Sequence, residues 1–492
     1  MKMDQINNAV ILASNTHQGN SSYDTVYGGE TLLNRCLIAM SKSGITSAVV
    51  IAHPGCKNKI EETIETVKHR LMLDYRVTEL SQDQVLSEKI KEVAAHWNDA
   101  FLMYKTDKFM HPTFFKQAVT AAVADRAVVF AHKNVIIKDG VLLFEPAFKE
   151  KFKVIFSNPA GYNKITVDQM TSDIFRSNPV ELTVSNKLLA FASGGDGVIS
   201  ADVVACSRKQ LESISGFGSI DEAVQELLSN NKLAMQFVAD AWWLRITPEI
   251  SKSHIKDLIW KVAFKEISGE FSKAVNSKLS KPLSFYFARK GVTPNTLSNV
   301  QLILFLIASG FLLIDAHWAM IVFAVLWQFS AGVLDRCDGE VARIRNHESE
   351  AGGRFDMIID DMRNVLPFTF LGGFLYYHTQ DPVFVISFAL TIIWFTALTL
   401  YEQDFMRKAG YTSRQVMYVD YKKLKGESSH TTSLLTKFVP IISGDIRTFY
   451  VFLLALFGLK EFVYWALLFI LVFFPVTSFV GILKFKKEYS KK

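Results

Sequence analysis

Residues Asp335–Asp361 read DRCDGEVARIRNHESEAGGRFDMIIDD, and this stretch decides how the C-terminal half of the chain is interpreted. It follows directly on a long uncharged run. Asp335 and Asp338 are three residues apart, and Asp356 and Asp360 are four apart. On helices each pair shares one face. Because two antiparallel helices joined within this stretch would be neighbours, we expect all four carboxylates to converge.

A cluster of this kind needs positive charge, since four carboxylates in close contact cannot all stay ionised and unpaired. Mg²⁺ and Mn²⁺ prefer oxygen ligands and commonly bridge carboxylates to phosphates. Two such ions can clamp the entering and leaving oxygens of an in-line phosphoryl displacement. Around the aspartates, Gly339 and Ala342 leave one helix bare for a flat ligand. Arg343 offers a fork for phosphate, and Gly352 allows a tight return between the helices.

The sequence around this cluster is apolar in stretches close to the roughly 20 residues that cross a bilayer. Two of these stretches, Asn364–Tyr377 and Thr448–Leu459, are shorter, and they cross the bilayer only if their helices extend into the preceding polar residues. Re-entrant or interfacial helices are the alternative for those two. We predict six membrane spans: Thr296–Ile314, Ala316–Leu334, Asn364–Tyr377, Pro382–Tyr401, Thr448–Leu459 and Phe462–Leu483.

The orientation of the spans follows from the basic residues. Connections 335–363 and 402–447 and the tail KFKKEYSKK are rich in Lys and Arg, whereas connections 315–317, 378–381 and 460–461 contain one Lys between them. Basic connections stay on the cytoplasmic side. We therefore expect an integral, multi-pass membrane protein with both termini and its N-terminal domain in the cytoplasm.

The whole chain has 492 residues, of which 49% are hydrophobic and 21% charged, and this length favours two or three domains. Its four cysteines lie far apart, which excludes a disulfide scaffold and a zinc ribbon. A net charge of +6 does not by itself indicate a nucleic-acid partner. No signal peptide is expected, because the first apolar run is only five residues long.

Short apolar runs alternate with polar, helix-length stretches in residues 1–250, a rhythm typical of buried parallel strands and amphipathic helices. The fold class predicted is therefore a Rossmann-like α/β domain followed by an all-α six-helix transmembrane domain. The expected divisions are 1–250 for the α/β domain, 251–295 for a linker, 296–486 for the transmembrane domain and 487–492 for a basic tail.

The linker contains two apolar stripes flanked by lysines and arginines. One lies in Ser253–Ser268 and the other recurs every four residues from Phe271 to Phe287. Such stripes are typical of helices that lie on an anionic membrane surface. A linker helix packed against the first domain is the alternative. Pro282 is expected to break the second segment or to begin a new helix.

The acidic stretch also resembles a known signature. With every position filled, it is similar to that of the CDP-alcohol phosphotransferase family, and the resemblance covers residues 290–486, including VTPNTLS at 292–298. The pattern reads Asp335-x2-Asp338-Gly339-x2-Ala342-Arg343-x8-Gly352-x3-Asp356-x3-Asp360.

This resemblance implies a six-helix membrane enzyme, usually a homodimer, that moves a substituted phosphate from a CDP-alcohol to a second alcohol and releases CMP. It implies Asp360 as the general base for the acceptor hydroxyl. It assigns two ions, Mg²⁺ or Mn²⁺, to Asp335, Asp338, Asp356 and Asp360. It implies that the cytidine and pyrophosphate of the donor lie beside five residues: Asp335, Gly339, Ala342, Arg343 and Gly352.

The acceptor alcohol is either a polyol phosphate or a lipid. Some family members that use phosphorylated polyols have basic residues near the start of the fifth span, where this chain has Arg447 in SGDIRTF. Arg447 is therefore a candidate acceptor-binding residue. The alternatives for Arg447 are a positive-inside anchor or an ion pair with Asp445.

Residues 9–250 resemble the sugar-phosphate nucleotidyltransferase fold, from the first strand AVILAS to WWLRITPEI. Asp107 and Asp196 lie where that family has metal-binding aspartates. The family's Gly-rich loop and its cations, which balance the charge of a leaving pyrophosphate, are replaced here by SNTHQGNSSYDTVYGGE. No Arg or Lys lies between Lys2 and Arg35. We therefore expect a degenerate domain with a docking or regulatory role and vestigial metal ligands.

Together the two halves resemble the bifunctional inositol-phosphate cytidylyltransferase/di-myo-inositol-phosphate phosphate synthase family. One alternative is accordingly a bifunctional enzyme whose first domain makes a CDP-alcohol, such as CDP-inositol, from CTP. A second alternative is a non-enzymatic cation-binding protein or transporter. Against the transporter, the aspartates lie at one membrane face rather than at mid-depth.

Overall fold

The structure is a computed structural model, and the chain divides in it into two compact units, Met1–Lys261 and Val262–Lys492. The finer divisions predicted at 250, 295 and 486 stay predictions. The residues that the structure describes are 5–13, 23–121, 123, 125–138, 141–144, 197–230, 232–238, 243–245, 252–264, 276–411 and 444–489.

Strands and helices alternate in the N-terminal unit. The strands are β1 (Asn8–Leu12), β2 (Val26–Tyr27), β3 (Glu30–Thr31), β4 (Ser47–Ala52), β5 (Asp74–Glu79), β6 (Phe101–Lys105), β7 (Lys108–Met110), β8 (Ala127–Lys138), β9 (Val141–Phe144), β10 (Gly197–Cys206), β11 (Leu233–Val238) and β12 (Trp243–Arg245). The helices are α1 (Leu32–Lys42), α2 (Lys57–Glu65), α3 (Leu86–Ala94), α4 (Thr113–Ala118), α5 (Arg208–Glu212) and α6 (Ile220–Ser229). Helix α7 (Lys252–Ala263) begins in this unit, and its last two residues, including Ala263, belong to the C-terminal unit.

The main sheet has the order β5-β4-β1-β6-β10-β8-β11, with β9 paired to β8. Strands β5, β4, β1 and β6 are parallel to one another, whereas β10 is antiparallel to both β6 and β8. Val10, Met103 and Val129 on the central strands are buried, which explains why these strands have continuous apolar sequences. The α/β fold class predicted for this half is observed.

Strand β1 pairs with β4 on one side and with β6 on the other. The chain runs from β1 outward through β4 and β5 and then returns to β6, so the strand order reverses between β1 and β6. In open α/β sheets ligands bind at the carboxyl ends of the strands at such a switch. The loop after β6 contains Asp107. The topology therefore places this aspartate at the edge where a ligand site is expected.

The C-terminal unit is helical in its described residues. Its helices are α8 (Ser277–Arg289), α9 (Pro294–Phe311), α10 (His317–Gln328), α11 (Asp335–Ile344), α12 (Glu350–Thr379), α13 (Pro382–Ala409), α14 (Gly444–Leu456) and α15 (Lys460–Tyr489). Their core is a cluster of buried apolar side chains that includes Phe305, Trp327, Phe368, Leu371 and Leu467.

Helices lie at the positions of all six predicted spans, in α9, α10, α12, α13, α14 and α15. Among the described residues, two continuous helical segments are long and apolar enough to cross a membrane, His317–Ile344 and Pro382–Ala409. These two segments indicate membrane association. The count of six spans and their orientation stay predictions.

A π-helical turn, Phe329–Leu334, joins α10 to α11 without a break and ends immediately before Asp335. Such turns often occur at functional sites. A side chain on Gly332 in this turn would place its Cβ 3.1 Å from Gln328 Nε2. The glycine thus leaves room for the turn that sets the direction of Asp335.

The first linker helix is covered by protein. Ile255, Leu258 and Ile259 on the apolar face of α7 are each no more than 2% exposed. The expectation that this face lies on a membrane surface is therefore wrong, because protein buries it. The alternative, a linker helix packed against the first domain, stays a prediction.

The second linker helix is α8. Pro282 lies inside α8 and neither breaks nor begins it. The buried face of α8 includes the small residues Ser280, Ser284 and Ala288, whereas Leu279 on its apolar stripe is 54% exposed. The predicted stripe is divided, because Leu283 and Phe287 pack against a buried apolar cluster of the helical unit. Only its exposed part, at Leu279, is available to a membrane surface.

Candidate active site

Carboxylates of α11 and α12 share one guanidinium. Arg363 Nη1 lies 3.0 Å from Asp360 Oδ1 and 3.9 Å from Asp335 Oδ1. Asp335 is also close enough to Asp356 and Asp360 for their charges to act on it. The two helices therefore present their aspartates to one region, as the spacing of the pairs predicts.

The first helix of the bundle, α9, is a third element of this region. Ser298 Oγ donates a hydrogen bond of 2.7 Å to Asp338 Oδ2, and the Gly339 N–H donates one of 2.5 Å to Asp338 Oδ1. Gln301 Nε2 donates a hydrogen bond of 3.2 Å to Asp335 Oδ1. Both aspartates of α11 are thus held by side chains that the sequence analysis did not select.

A signal for these two residues was present in the sequence. Ser298 and Gln301 are three residues apart, as are Asp335 and Asp338, so each pair lies on one helical face. Polar side chains inside an apolar span face a partner rather than lipid. The sequence does not show that α9 packs against α11, and without that knowledge Ser298 and Gln301 could not be assigned to Asp338 and Asp335 as partners.

Whether these residues fit a divalent ion can be tested on their chemistry and placement. The donors are carboxylate oxygens only, which suits Mg²⁺ or Mn²⁺. Arg363 supplies, between two of the carboxylates, the positive charge that an ion would bring. Among the described residues no three His, Cys, Asp or Glu side chains are grouped closely enough to hold a metal ion as they stand. The residues therefore fit such an ion in donor type, and two of the carboxylates already share one cation, the guanidinium of Arg363.

Arg343 has a different contact from the phosphate predicted for it. Its Nε donates a hydrogen bond to the backbone oxygen of Ala263, at the end of α7. A Cβ on Gly339 would lie 3.3 Å from Arg343 Nη1, so this glycine gives the guanidinium room along α11. Ala342 on the same helix is half-buried. The nucleotide-binding roles of these residues stay predictions.

Gly352 does not make the return between the helices, and that expectation is wrong. It is the third residue of α12, and its N–H donates a hydrogen bond of 3.0 Å to the Oγ of the N-cap Ser349. The chain reverses earlier, at Asn346, which has a positive φ of 53°. A Cβ on Gly352 would lie 3.0 Å from Ser349 Oγ, so the glycine leaves room for the cap.

A buried carboxylate joins α11 to α8. Glu340 is 1% exposed and accepts hydrogen bonds of 2.9 Å from Ser280 Oγ and 2.7 Å from Ser284 Oγ. Arg336 Nε lies 3.4 Å from Glu340 Oε1. These contacts explain why the serine face of α8 is buried.

The contacts of two predicted residues fall outside the described part of the structure. Arg447 belongs to α14, but its side chain lies outside the described part of the structure, and Asp196 lies outside the described residues altogether. The acceptor-binding role of Arg447 and the vestigial role of Asp196 stay predictions.

In the N-terminal unit, Asp107 is held by two lysines. Lys108 Nζ lies 2.9 Å from Asp107 Oδ1, and Lys105 Nζ lies 3.8 Å from Oδ2. The Lys108 side chain is only 2% exposed, so a buried ammonium group meets the carboxylate that was predicted as a metal ligand. A cation of the protein thus occupies one side of this aspartate.

Two titratable groups near Asp107 are shifted by their surroundings. Burial raises the pKa of Tyr104 well above its ordinary value, with Cys36 and Asp107 adding to the effect. Burial lowers the pKa of His53, and the positive charge of Lys105 lowers it further. Both groups are therefore held in their neutral forms near pH 7.

The helical unit thus combines a carboxylate cluster with apolar segments long enough to cross a membrane. Residues 291–476 of this unit match the family model of the CDP-alcohol phosphatidyltransferases. The resemblance stated for residues 290–486 is thereby confirmed for the domain.

Two curated proteins are similar to part of the chain. One is the "Bifunctional IPC transferase and DIPP synthase" of Thermococcus kodakarensis, 27% identical over 35% of this chain and 38% of that protein. The other has the same name, comes from Archaeoglobus fulgidus, and is 26% identical over 41% of this chain and 39% of that protein. The matched stretches thus span less than two fifths of these relatives.

Solved structures are similar over half of the chain. The inositol-1-phosphate CTP transferase from T. maritima is 12% identical and covers 51% of this chain and 97% of its own, with a TM-score of 0.34. HddC from Yersinia pseudotuberculosis is 12% identical and covers 51% of this chain and 100% of its own, with a TM-score of 0.33.

Proposed function

We propose that the C-terminal domain is a membrane-embedded, metal-dependent phosphotransferase that moves a substituted phosphate from a CDP-alcohol to an acceptor alcohol and releases CMP. The observation that carries this proposal is the sharing of Arg363 by Asp335 of α11 and Asp360 of α12. It supports a common site for two pairs of carboxylates whose spacing matches the family signature.

In this proposal Asp335, Asp338, Asp356 and Asp360 hold Mg²⁺ or Mn²⁺, and the bound ions neutralise charge on the diphosphate of the donor. Asp360 accepts the proton of the acceptor hydroxyl as that oxygen attacks the phosphorus. The bond from phosphorus to the CMP oxygen breaks, and CMP leaves with the electron pair. Ser298 and Gln301 keep the carboxylates of α11 in place by their hydrogen bonds.

The acceptor is either a polyol phosphate or a lipid, and the two can be separated by assay. Purified full-length protein is incubated with CDP-inositol or CDP-diacylglycerol as donor and with inositol phosphate or diacylglycerol as acceptor, and CMP is measured. With CDP-inositol as donor, inositol phosphate gives a soluble phosphodiester, whereas diacylglycerol gives a phospholipid. No CMP from any combination would contradict the proposal.

A matched pair of variants tests the residue assignment. Asp360→Asn is expected to lower CMP release by roughly 10²- to 10⁴-fold, the usual contribution of a general base. Asp404→Asn is the control, because Asp404 lies on the surface of α13 and pairs with Arg407 and Lys408. Equal activity of the two variants would remove Asp360 from the site.

A second function is favoured for the N-terminal unit by its strand order, which places Asp107 at a topological switch. This function is transfer of a cytidylyl group from CTP to a polyol phosphate. The contacts of Asp107 with Lys105 and Lys108 favour instead a degenerate domain. Pyrophosphate formed by the full chain from CTP and inositol 1-phosphate would establish the second function, and its absence would favour the degenerate domain.

A further inference from the structure

Gln301 is a buried amide at the edge of the acidic cluster. It lies on α9 and is 0% exposed. Its Nε2 donates to Asp335 Oδ1 at 3.2 Å, while its Oε1 is buried and has no hydrogen-bond partner among the described residues. Buried polar atoms in proteins are nearly always paired, so an unpaired amide oxygen beside a carboxylate cluster calls for an explanation.

The direction of this amide is fixed by its partner. Gln301 Nε2 is the donor to Asp335 Oδ1. A carboxylate that ligates a cation is ionised and only accepts hydrogen bonds, so this direction is the one that the proposed ion site requires. The oxygen is then left to accept from an O–H or N–H group. Ser330 Oγ donates a hydrogen bond of 3.2 Å to the backbone oxygen of Gln301, and this bond joins α9 to the π-helical turn before Asp335.

We propose that Gln301 is a positioning residue for the divalent ion, a proposal that rests on the proposed function. Its nitrogen fixes the orientation of the Asp335 carboxylate, and its oxygen accepts a hydrogen bond from a water of the hydrated cation. Mg²⁺ keeps several of its waters when it binds to proteins, and these waters are O–H donors. Groups that hydrogen-bond to a metal ligand orient that ligand and raise the affinity for the ion.

The helix offers a matched control. Ser309 lies on the same helix, is also 0% exposed, and donates its hydrogen bond of 2.7 Å to the backbone oxygen of Phe305 within α9. Within the described part of the chain, this hydroxyl makes no hydrogen bond to the acidic cluster. Replacing Ser309 by Ala therefore removes a buried polar group from α9 without touching Asp335.

The test measures Mn²⁺ binding to the full-length protein in detergent, without nucleotide. The electron paramagnetic resonance signal of free Mn²⁺ reports how much of the ion is bound. Gln301→Leu is expected to weaken binding by about 10- to 100-fold, the usual effect of removing such an outer hydrogen bond. Ser309→Ala is expected to bind as the unchanged protein does. At saturating Mn²⁺ the KM of Gln301→Leu for the CDP-alcohol should return to that of the unchanged protein.

The outcomes separate this inference from the proposed function. Mn²⁺ binding by the unchanged protein with equal affinity in Gln301→Leu overturns the inference and leaves the proposed function intact. Absence of Mn²⁺ binding in the unchanged protein overturns both. Gln301→Met, of similar length, replaces the Leu variant if that protein does not fold. If neither variant folds, the amide is required for folding itself and the metal-positioning role is rejected.

Discussion

The guanidinium of Arg363 is the counter-charge of the acidic cluster, at 3.0 Å from Asp360 Oδ1 and 3.9 Å from Asp335 Oδ1. Carboxylates gathered without a cation repel one another. Arg363 therefore offsets part of this repulsion whenever divalent ions are absent. Its removal should make the protein depend on the ion for stability.

A thermal shift measures this dependence. In EDTA, Arg363→Met should melt several degrees below the unchanged protein, and added Mg²⁺ should close most of the difference, because a ligand of the folded state stabilises it. Arg354→Met is the control on the same helix, since Arg354 forms only an exposed pair with Glu350 at 3.6 Å, and such pairs contribute little. A Mg²⁺-induced shift no larger in Arg363→Met than in Arg354→Met would contradict this role.

The spacing of the four aspartates predicted that each pair shares one helical face, because helical periodicity alone decides this. It could not predict Ser298, Gln301 or Arg363, because their partners depend on which helices pack together. It also misplaced Gly352, since a glycine between two helices suggests a turn, whereas here it leaves room for the Ser349 cap.

At the scale of elements, the buried hydrogen bonds of Glu340 join α8 to α11. The long uncharged stretches of the C-terminal half predicted where in the sequence the helices of the bundle lie, because such stretches are hard to place outside a helix of the bundle. They did not predict which side of α8 faces inward. The buried side is chosen by the need of a buried carboxylate for donors, a demand that the serines meet and the leucines cannot.

Ser280→Ala combined with Ser284→Ala tests that contact. The double variant leaves the Glu340 carboxylate without two donors, and each hydrogen bond to a charged group contributes about 1.5–3 kcal/mol. The melting temperature in detergent should fall markedly. Leu279→Ala, on the exposed side of the same helix, should melt close to the unchanged protein. Similar melting temperatures for the two would show that the serines are dispensable.

Neighbouring glycines of α12 test its packing against α15. A Cβ on Gly372 would lie 3.1 Å from Tyr464 Cε2, whereas a Cβ on Gly373 meets nothing within 4 Å. Tyr464 cannot easily move, because its hydroxyl bonds to Ser387 Oγ at 2.7 Å and to the Phe384 oxygen at 3.0 Å, and its ring stacks on Phe368.

Gly372→Ala should therefore be less stable than Gly373→Ala. Overpacking costs about 1–3 kcal/mol, and the helix propensity of alanine returns only about 1 kcal/mol of it. Gly373→Ala gains the propensity alone and should melt at or above the temperature of the unchanged protein. The reverse order of melting temperatures would show that α12 and α15 pack differently.

For the whole molecule, the predicted orientation can be measured with introduced cysteines. Glu461→Cys lies at the predicted outer end of α15, and Glu350→Cys at the predicted cytoplasmic end of α12. Both are placed in a Cys56→Ser background. Burial raises the pKa of the Cys36 and Cys206 thiols, so they stay protonated and unreactive, and Cys337 is buried.

An impermeant maleimide added to intact cells should label Glu461→Cys and not Glu350→Cys, and lysis should make the second site reactive. Labelling of Glu350→Cys in intact cells would place the acidic cluster on the outer side. The sequence predicts orientation from the Lys and Arg of the connections alone.

The central claim is that aspartates from α11 and α12 act together through divalent ions on a CDP-alcohol. The most direct measurement is CMP release by EDTA-treated, full-length protein before and after Mg²⁺ or Mn²⁺ is returned. The account predicts no release in EDTA, recovery with either ion, and no recovery in Asp335→Asn or Asp356→Asn. CMP release that persists in EDTA, or that survives in both variants, would contradict it.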